Sequence, residues 1–421
     1  MNPLSQTAEL LWSRRLAVML PLGFASGLPL ALTAGTLQAW LTMEGVDLAT
    51  IGLFTLIGLP YTVKFLWAPV IDRLVPPWLG RRRGWMVITQ LCVAGGLVAM
   101  ACVNPRIQPE VLAAVALLVA FCSASLDIVL DAYRTDTLLP AERGFGAAVW
   151  VNGYRLALLI AGAGALLLAD RIGWPATYIL MAGILFAGIA VIFVSPEPQL
   201  YAPPPTRLAE AVGAPLKEFF SRPHALGLLA VVVLYKLGDA FASALQTTFF
   251  ISGLGFTATA VGSVKGVGIA ATLIGALAGG VIMTHTTLLR ALLLFGGLQA
   301  VSNLGFAVLA WAGNNSLFLF ATVVIENVTG GMGTAAFVAF VMSLCNHRYT
   351  ATQFALLSSV EALGRVFSGK PSAELVALVG WGNFFLLTFL IALPGLGAVW
   401  LVRRQMTSAA AALPSAAADA A

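Results

Sequence analysis

Charged residues are scarce in this sequence. Only 10% of its 421 residues are Asp, Glu, Lys or Arg, whereas 59% are hydrophobic. Soluble domains carry about 25% charged residues, so the composition excludes an ordinary soluble protein. The strict alternation of polar and apolar residues that is typical of membrane β-barrels is also missing. We therefore expect an all-α polytopic membrane protein.

Histidine and cysteine are scarce as well, with three and four residues respectively. The histidines are scattered over predicted loops, and the cysteines lie in or beside apolar stretches without the spacing of a metal site. The residues concerned are His224, His285, His347, Cys92, Cys102, Cys122 and Cys345. This pattern argues against a membrane-embedded enzyme, so we expect no catalytic residue and no bound metal.

Long uncharged runs provide the membrane spans. Each run can cross a hydrocarbon core of roughly 30 Å at about 1.5 Å per residue. Breaks at Pro, Gly and charged residues predict twelve spans, at 16–42, 49–72, 84–104, 110–132, 145–169, 173–194, 225–251, 260–283, 288–311, 316–342, 351–370 and 375–401.

One polar interruption, at 195–224, divides these spans into two groups of six. We predict six-helix bundles at 16–194 and 225–402, between a cytoplasmic N-terminus at 1–15 and a disordered tail at 403–421. A short echo supports duplication: Gly45-Val-Asp-Leu-Ala-Thr-Ile-Gly52 and Gly255-Phe-Thr-Ala-Thr-Ala-Val-Gly262 each follow the first span of their bundle.

The basic residues indicate the orientation in the membrane. With a cytoplasmic N-terminus, 15 of the 23 Lys and Arg lie in cytoplasmic loops or at span ends there, three lie outside and five lie within spans. Lys and Arg are enriched on the cytoplasmic side of membrane proteins. Both termini are therefore predicted to be cytoplasmic.

Acidic residues inside spans point to transport. Asp127 and Asp131 are four residues apart and share one helical face. A charge at the bilayer centre costs about 2.5–3.5 kcal/mol, which implies a hydrated or protein-lined interior. Such an acid can bind a proton in one conformation and release it in another, so we assign proton coupling to Asp127, Asp131 and Glu326. Alternatively, Asp131 belongs to a gate with Arg134.

Other polar and aromatic residues within spans are candidates for binding a solute. The set is Gln38, Lys64, Trp150, Tyr154, Arg155, Lys236, Asp239, Gln246, Lys265 and Glu361. Arg155 beside aromatic rings suits a carboxylate and sugar rings. Three alternatives stay open: Lys236 with Asp239 and Glu361 with Arg365 as structural pairs, and Trp150 as a lipid-facing ring. Trp40 and Trp174 are predicted to be interfacial anchors.

The loop after the second span resembles a motif of the major facilitator superfamily. It carries Asp72-Arg73, a turn, and then Gly80-Arg-Arg-Arg83. The resemblance implies a charge relay that holds the two halves closed on the cytoplasmic side. The gate residues would be Asp72, Arg73, Arg81, Arg82, Arg83 and Arg134. The alternative is a plain cluster of positive charge on the cytoplasmic side.

Longer stretches resemble the AmpG muropeptide permeases of that superfamily. They are Gly23-Phe-Ala-Ser-Gly-Leu-Pro-Leu-Ala-Leu-Thr-Ala-Gly-Thr-Leu-Gln-Ala-Trp40, Lys64-Phe-Leu-Trp-Ala-Pro69, Gly80-Arg-Arg-Arg-Gly-Trp85, Leu126-Asp-Ile-Val-Leu-Asp-Ala-Tyr-Arg-Thr-Asp136 and Glu142-Arg-Gly144. In the second half, only the layout and Tyr235-Lys-Leu-Gly-Asp239 are similar.

The resemblance implies a major facilitator fold of twelve transmembrane helices. It also implies proton-coupled import of N-acetylglucosaminyl-1,6-anhydro-N-acetylmuramic acid, with or without peptide, across the bacterial inner membrane. Peptidoglycan recycling and β-lactamase induction are the implied roles. We expect a monomer that needs only the proton gradient as cofactor and has no nucleic-acid partner. The alternative is a major facilitator carrier, an exporter included, for another sugar, peptide or amphiphilic solute.

Overall fold

The computed structural model describes residues 13–46, 54–198 and 208–403, and all regular secondary structure in these ranges is helical. Parts of several predictions lie outside the described residues. These parts are most of the N-terminal segment, the start of the second span, most of the first echo motif, the middle of the linker and nearly all of the tail.

We number the helical elements in chain order; α7 lies in the predicted linker, and α12 covers the last two predicted spans. The bounds are α1 (Arg14–Ala17, Met19–Thr33, Gly35–Met43), α2 (Thr55–Gly58, Leu59–Val63, Lys64–Leu66, Ala68–Arg73), α3 (Arg81–Ala101), α4 (Pro109–Thr137), α5 (Arg143–Leu159, Ile160–Gly164, Ala165–Ile172), α6 (Trp174–Ala187, Ile189–Val194), α7 (Leu208–Phe220), α8 (Ala225–Leu234, Leu237–Ala244, Gln246–Thr248, Phe249–Gly253), α9 (Ala258–His285), α10 (Leu288–Ala312), α11 (Ser316–Leu344) and α12 (Thr350–Leu401).

Within the described ranges, ten helical stretches are long and apolar enough to span a membrane. The second predicted span is instead a series of short turns, with Pro60 and Pro69 near the starts of two of them. Proline removes a backbone donor and interrupts a helix. The predicted break between spans eleven and twelve, at 371–374, is wrong. The break lies instead at Gly380, where φ is 74°. Glycine adopts this angle at low cost. Pro371 lies inside the helix.

The chain forms two compact units. Unit 1 comprises Met1–Pro215 and Cys345–Ser359, and unit 2 comprises Leu216–Leu344 and Val360–Ala421. Cys345–Ser359 lies within the predicted second bundle by its position in the chain but belongs to unit 1. Two acidic residues of unit 1 bind this segment, as described below. The predicted boundaries of the two bundles remain predictions.

Helices α1 and α5 of unit 1 touch through their backbones. A Cβ atom built on Gly153 would lie 2.0 Å from the Leu20 carbonyl oxygen, and one on Gly23 would lie 2.4 Å from that of Trp150. Only glycine allows this approach, and it places the Trp150 region of α5 against α1.

Two tryptophans predicted to anchor unit 1 at the membrane interface lie in its core instead. Trp40 is 1% exposed, and its ring stacks on that of Trp174 at 6.0 Å. Tyr178 lies 4.9 Å from the Trp40 ring and donates its hydroxyl to the Leu32 carbonyl. Aromatic rings in contact stabilise each other by about 0.5–1.5 kcal/mol beyond the effect of their buried area.

Unit 2 uses the same kind of contact between α9 and α11. A Cβ atom on Gly275 would lie 2.0 Å from the Val328 carbonyl oxygen, and one on Gly331 would lie 2.4 Å from that of Thr272. This contact fixes the face that α11 turns away from α9. Gly330 and Gly333 of α11 lie beside Gln299 of α10 instead.

Candidate functional site

A charged cluster lies inside unit 1 where α1, α2 and α4 meet. Lys64 is 6% exposed; its ammonium group forms an ion pair with Asp127 and lies 3.5 Å from Asp131 Oδ2. The Ser26 hydroxyl donates to Asp127 Oδ1 at 2.7 Å. Asp127 has no basic residue within one turn of its own helix, and its partner comes from 63 residues earlier in the chain.

Arg134 completes this cluster. Its Nη2 donates to Asp131 Oδ1 at 2.8 Å. Its guanidinium carbon lies 4.6 Å from the centre of the Trp150 ring and 5.2 Å from that of Phe354. A guanidinium between two aromatic faces is held by cation–π attraction. Trp150 is 4% exposed, so the lipid-facing alternative is wrong for this residue, and its cationic partner is Arg134.

The four ionisable side chains of this cluster balance in formal charge. Lys64 and Arg134 carry two positive charges, and Asp127 and Asp131 carry two negative charges. Removing charges from water costs several kcal/mol per ion unless each one is paired. The cluster therefore tolerates an added charge only if another charge compensates it.

Asp72 of the predicted gate forms a second cluster. Its side chain is fully buried, and its Oδ1 accepts from Arg81 at 2.7 Å and from Arg82 at 3.2 Å. On the other side, Asp72 accepts from the backbone N–H groups of Ala351 and Thr352 and from the Thr352 hydroxyl, at 2.7–3.3 Å. These groups belong to the first turn of α12, where the helix dipole favours a negative charge.

Asp136, at the end of α4, binds the same segment. Its carboxylate accepts from Arg82 Nε at 2.8 Å and from the Thr350 hydroxyl at 2.6 Å, and it lies 3.3 Å from His347 Nδ1. Asp136, His347 and Thr350 are not among the site residues predicted from the sequence. Asp136 closes the conspicuous stretch that begins at Leu126, but nothing in the local pattern indicates a partner 211 residues away.

Two of the predicted gate residues, Arg73 and Arg83, have surroundings that differ from those of Arg81 and Arg82. Arg83 donates to the carbonyls of Ile192 and Phe193 at 2.9 and 3.0 Å, at the C-terminal end of α6, where a cation is stabilised. Arg73 is exposed. The structure therefore brings Asp72 together with Arg81 and Arg82, while Arg134 belongs to the Lys64 cluster.

Glu197 supports the start of α3. It accepts from the backbone N–H groups of Arg82 and Arg83 at 2.9 and 3.2 Å. Burial raises the pKa of Glu197 above its ordinary value, although these two N–H groups oppose the shift. Glu197 is not among the predicted site residues, because it lies in the proline-rich linker.

In unit 2, the predicted pair of Lys236 and Asp239 is formed. Lys236 Nζ lies 3.5 Å from Asp239 Oδ2 and donates to Gln299 Oε1 at 3.2 Å. Gln299 extends the pair onto α10, which the sequence pattern did not indicate. Glu326 Oε2 accepts from Asn327 at 2.8 Å.

The remaining solute-binding candidates divide between the two units. Lys265 is exposed and donates to the Thr247 hydroxyl. Five other candidates are half-buried: Gln38, Tyr154 and Arg155 in unit 1, and Gln246 and Glu361 in unit 2. The suggested partner of Glu361, the Arg365 side chain, lies outside the described residues.

Comparison with known proteins identifies the family. Residues 13–369 match the Major Facilitator Superfamily. The Anhydromuropeptide permease of Escherichia coli K12 is 50% identical over 403 residues, which cover 95% of this chain and 82% of the permease. The chain belongs to the AmpG muropeptide permease family of this superfamily. Family members also include a Putative transporter AmpG 4 of Rickettsia felis, 33% identical over 91% of this chain and 95% of its own length.

Solved structures show the fold. The proton:xylose symporter XylE, bound to 6-bromo-6-deoxy-D-glucose, superposes with a TM-score of 0.69 at 10% identity and covers 93% of this chain and 95% of its own. The human organic anion transporter MFSD10 superposes with a TM-score of 0.68 at 17% identity, and the match covers 92% of this chain and 99% of MFSD10. The predicted major facilitator fold of this AmpG family member is therefore confirmed. The protein is a multi-pass membrane transporter.

Proposed function

We propose that this transporter imports anhydro-muropeptides from the periplasm to the cytoplasm, driven by the proton gradient across the bacterial inner membrane. The substrate would be N-acetylglucosaminyl-1,6-anhydro-N-acetylmuramic acid, with or without its peptide. The 50% identity to an anhydromuropeptide permease over 95% of the chain carries the substrate assignment. Peptidoglycan recycling, β-lactamase induction and a monomeric state are further parts of the proposal.

The balanced charges of the Lys64 cluster suggest how proton and solute are coupled. A proton bound at Asp127 would leave Lys64 and Arg134 with a single counter-charge, that of Asp131. The resulting net positive charge is costly in a buried place. A muramyl or peptide carboxylate supplies the missing negative charge. Proton and anionic solute then stabilise each other's binding, which is the thermodynamic requirement for symport.

Trp150 and Arg155 on α5 would contact the solute. Trp150 presents an aromatic face near the cluster and can also pack against a sugar ring. Arg155 is half-buried and offers a planar, two-pronged donor for a carboxylate. Gln38 and Tyr154, also in unit 1, would supply further polar contacts. In unit 2, the proposed solute-binding residues are Lys236, Asp239, Gln246, Lys265 and Glu361.

The Asp72 cluster would act as the cytoplasmic gate. Asp72 and Asp136 together bind the first turn of α12 and the residues just before it. Release of Cys345–Ser359 from these two carboxylates would accompany opening towards the cytoplasm. Because both carboxylates also bind Arg82, this residue links the two contacts.

Uptake into membrane vesicles tests the function directly. Vesicles that contain the protein should accumulate radiolabelled anhydro-muropeptide when a proton gradient is applied, and an uncoupler should abolish the accumulation. Uptake that persists with an uncoupler would contradict proton coupling. If another sugar or peptide is transported and the anhydro-muropeptide is not, the substrate assignment is wrong.

The variant Asp127→Asn tests the coupling residue. It keeps the shape of the side chain but removes its charge and its titration, so gradient-driven accumulation should fall to the background level. Exchange of labelled for unlabelled solute, which needs no net proton movement, should persist. Full accumulation by the variant would rule out the role of Asp127.

A further inference from the structure

The amide of Gln299 is buried and held in one orientation. Gln299 is 4% exposed, and its Oε1 accepts from Lys236 Nζ at 3.2 Å. An ammonium group can only donate, so the oxygen must face Lys236 and the NH₂ group must point the other way. That nitrogen, Nε2, donates to no acceptor among the described residues. An unsatisfied buried donor costs about 1–3 kcal/mol.

The NH₂ group faces α11 at Gly330, a position without a side chain. A Cβ atom built on Gly330 would lie 3.6 Å from Gln299 Nε2 and 3.9 Å from Glu326 Oε1. Among the described residues, and apart from the backbone of α11 itself and the neighbours of Gly330, no other heavy atom lies within 4 Å of that position. A donor and a carboxylate oxygen thus flank one small space whose floor is Gly330.

Gly333, one turn further along α11, is a second glycine beside Gln299. A Cβ atom there would lie 2.5 Å from Gln299 Oε1 and 3.7 Å from Lys236 Nζ. A larger residue at this position would therefore force the Gln299 amide to shift. The two glycines have different roles: Gly333 makes room for the amide, and Gly330 leaves room beside it.

The chemistry of the space selects its occupant. A group beside Gln299 Nε2 must accept a hydrogen bond, and a group beside the Glu326 carboxylate must donate one. A carboxylate has no hydrogen atom to donate to Glu326, and an ammonium group cannot accept from Gln299. A hydroxyl group does both. We propose that Gln299, Glu326 and Gly330 form a subsite for a hydroxyl group of the transported sugar.

This inference rests on the proposed function for the identity of the solute, and Gly330→Ala tests it. The added methyl group fits without a clash, and alanine stabilises a helix interior relative to glycine. The methyl group would occupy the space for the hydroxyl. Purified variant protein should bind N-acetylglucosaminyl-1,6-anhydro-N-acetylmuramic acid at least about tenfold more weakly in calorimetry, with an unchanged or higher Tm.

Gly297→Ala on α10 is the matched control, since a Cβ atom there meets nothing within 4 Å. It should bind the disaccharide like the wild type. Equal binding by Gly330→Ala and the wild type would overturn the subsite. So would a fall in Tm for Gly330→Ala that Gly330→Ser restores, since that result assigns the space to a structural water. If the wild type binds no disaccharide, the proposed function itself fails, and the sugar assignment with it.

Discussion

Lys64 holds together two carboxylates that would otherwise repel each other. It lies between Asp127 and Asp131, which occupy successive turns of α4. The spacing of the two acids could be recognised from the sequence, because it is local to one helix. The partner could not, because it depends on how α2 packs against α4. The same is true of Trp150, whose contact with Arg134 the local sequence does not indicate.

At the residue scale, we predict how removal of the Lys64 ammonium group changes the stability of the protein. Lys64→Met should lower the free energy of unfolding by about 3–5 kcal/mol, because it leaves buried carboxylates without their partner. The double variant Lys64→Met/Asp127→Asn should recover most of this loss, since the charge is removed along with its partner. Thermal unfolding in detergent measures both effects.

Lys265→Met serves as the control, because that lysine is exposed. We expect its Tm to stay close to that of the wild type. A Lys64→Met protein as stable as the wild type, or a double variant less stable than the single one, would contradict the pairing.

At the scale of elements, Cys345–Ser359 is the segment whose placement differs most from expectation. It follows α11 in the chain, yet it belongs to unit 1 by its packing. The first turn of α12 offers free N–H groups and a positive dipole end, and Asp72 supplies the buried negative charge that binds them. The loop motif predicted the acid and the arginines, but it could not indicate that a helix N-terminus is the partner.

We predict that Asp72→Asn loosens this segment. Losing charge-assisted hydrogen bonds weakens the attachment by about 1.5–3 kcal/mol, which corresponds to roughly a tenfold or larger rise in the fraction detached. Cys345 in the segment is buried and reports on detachment. With Cys92, Cys102 and Cys122 replaced by Ser, maleimide should label Cys345 faster in the variant, in inside-out vesicles.

Arg73→Gln in the same background is the matched control, because the Arg73 side chain is exposed next to Asp72. Its labelling rate should equal that of the parent. Equal rates for Asp72→Asn and the parent would mean that Asp72 does not hold the segment.

At the scale of the whole molecule, the orientation in the membrane is the main untested feature. Of the 23 Lys and Arg, 15 lie on the side predicted to be cytoplasmic. A green fluorescent protein fused to the C-terminus should therefore fluoresce, because it folds in the cytoplasm. Alkaline phosphatase inserted after Arg106, in a predicted outer loop, should be active. If the C-terminal fusion is not fluorescent and the inserted phosphatase is inactive, the predicted orientation is wrong and the opposite one is indicated.

The sequence alone determined the class of protein, most of its spans and the presence of ionisable groups at membrane depth. These properties depend on composition and on runs of about 20 residues, so they can be identified locally. Tertiary structure decided which charges pair, that Asp136 faces His347 and Thr350, that Gln299 orients Lys236, and that the last break lies at Gly380. Each of these outcomes depends on contacts between helices far apart in the chain, or on one backbone angle, and neither leaves a periodic pattern in the sequence.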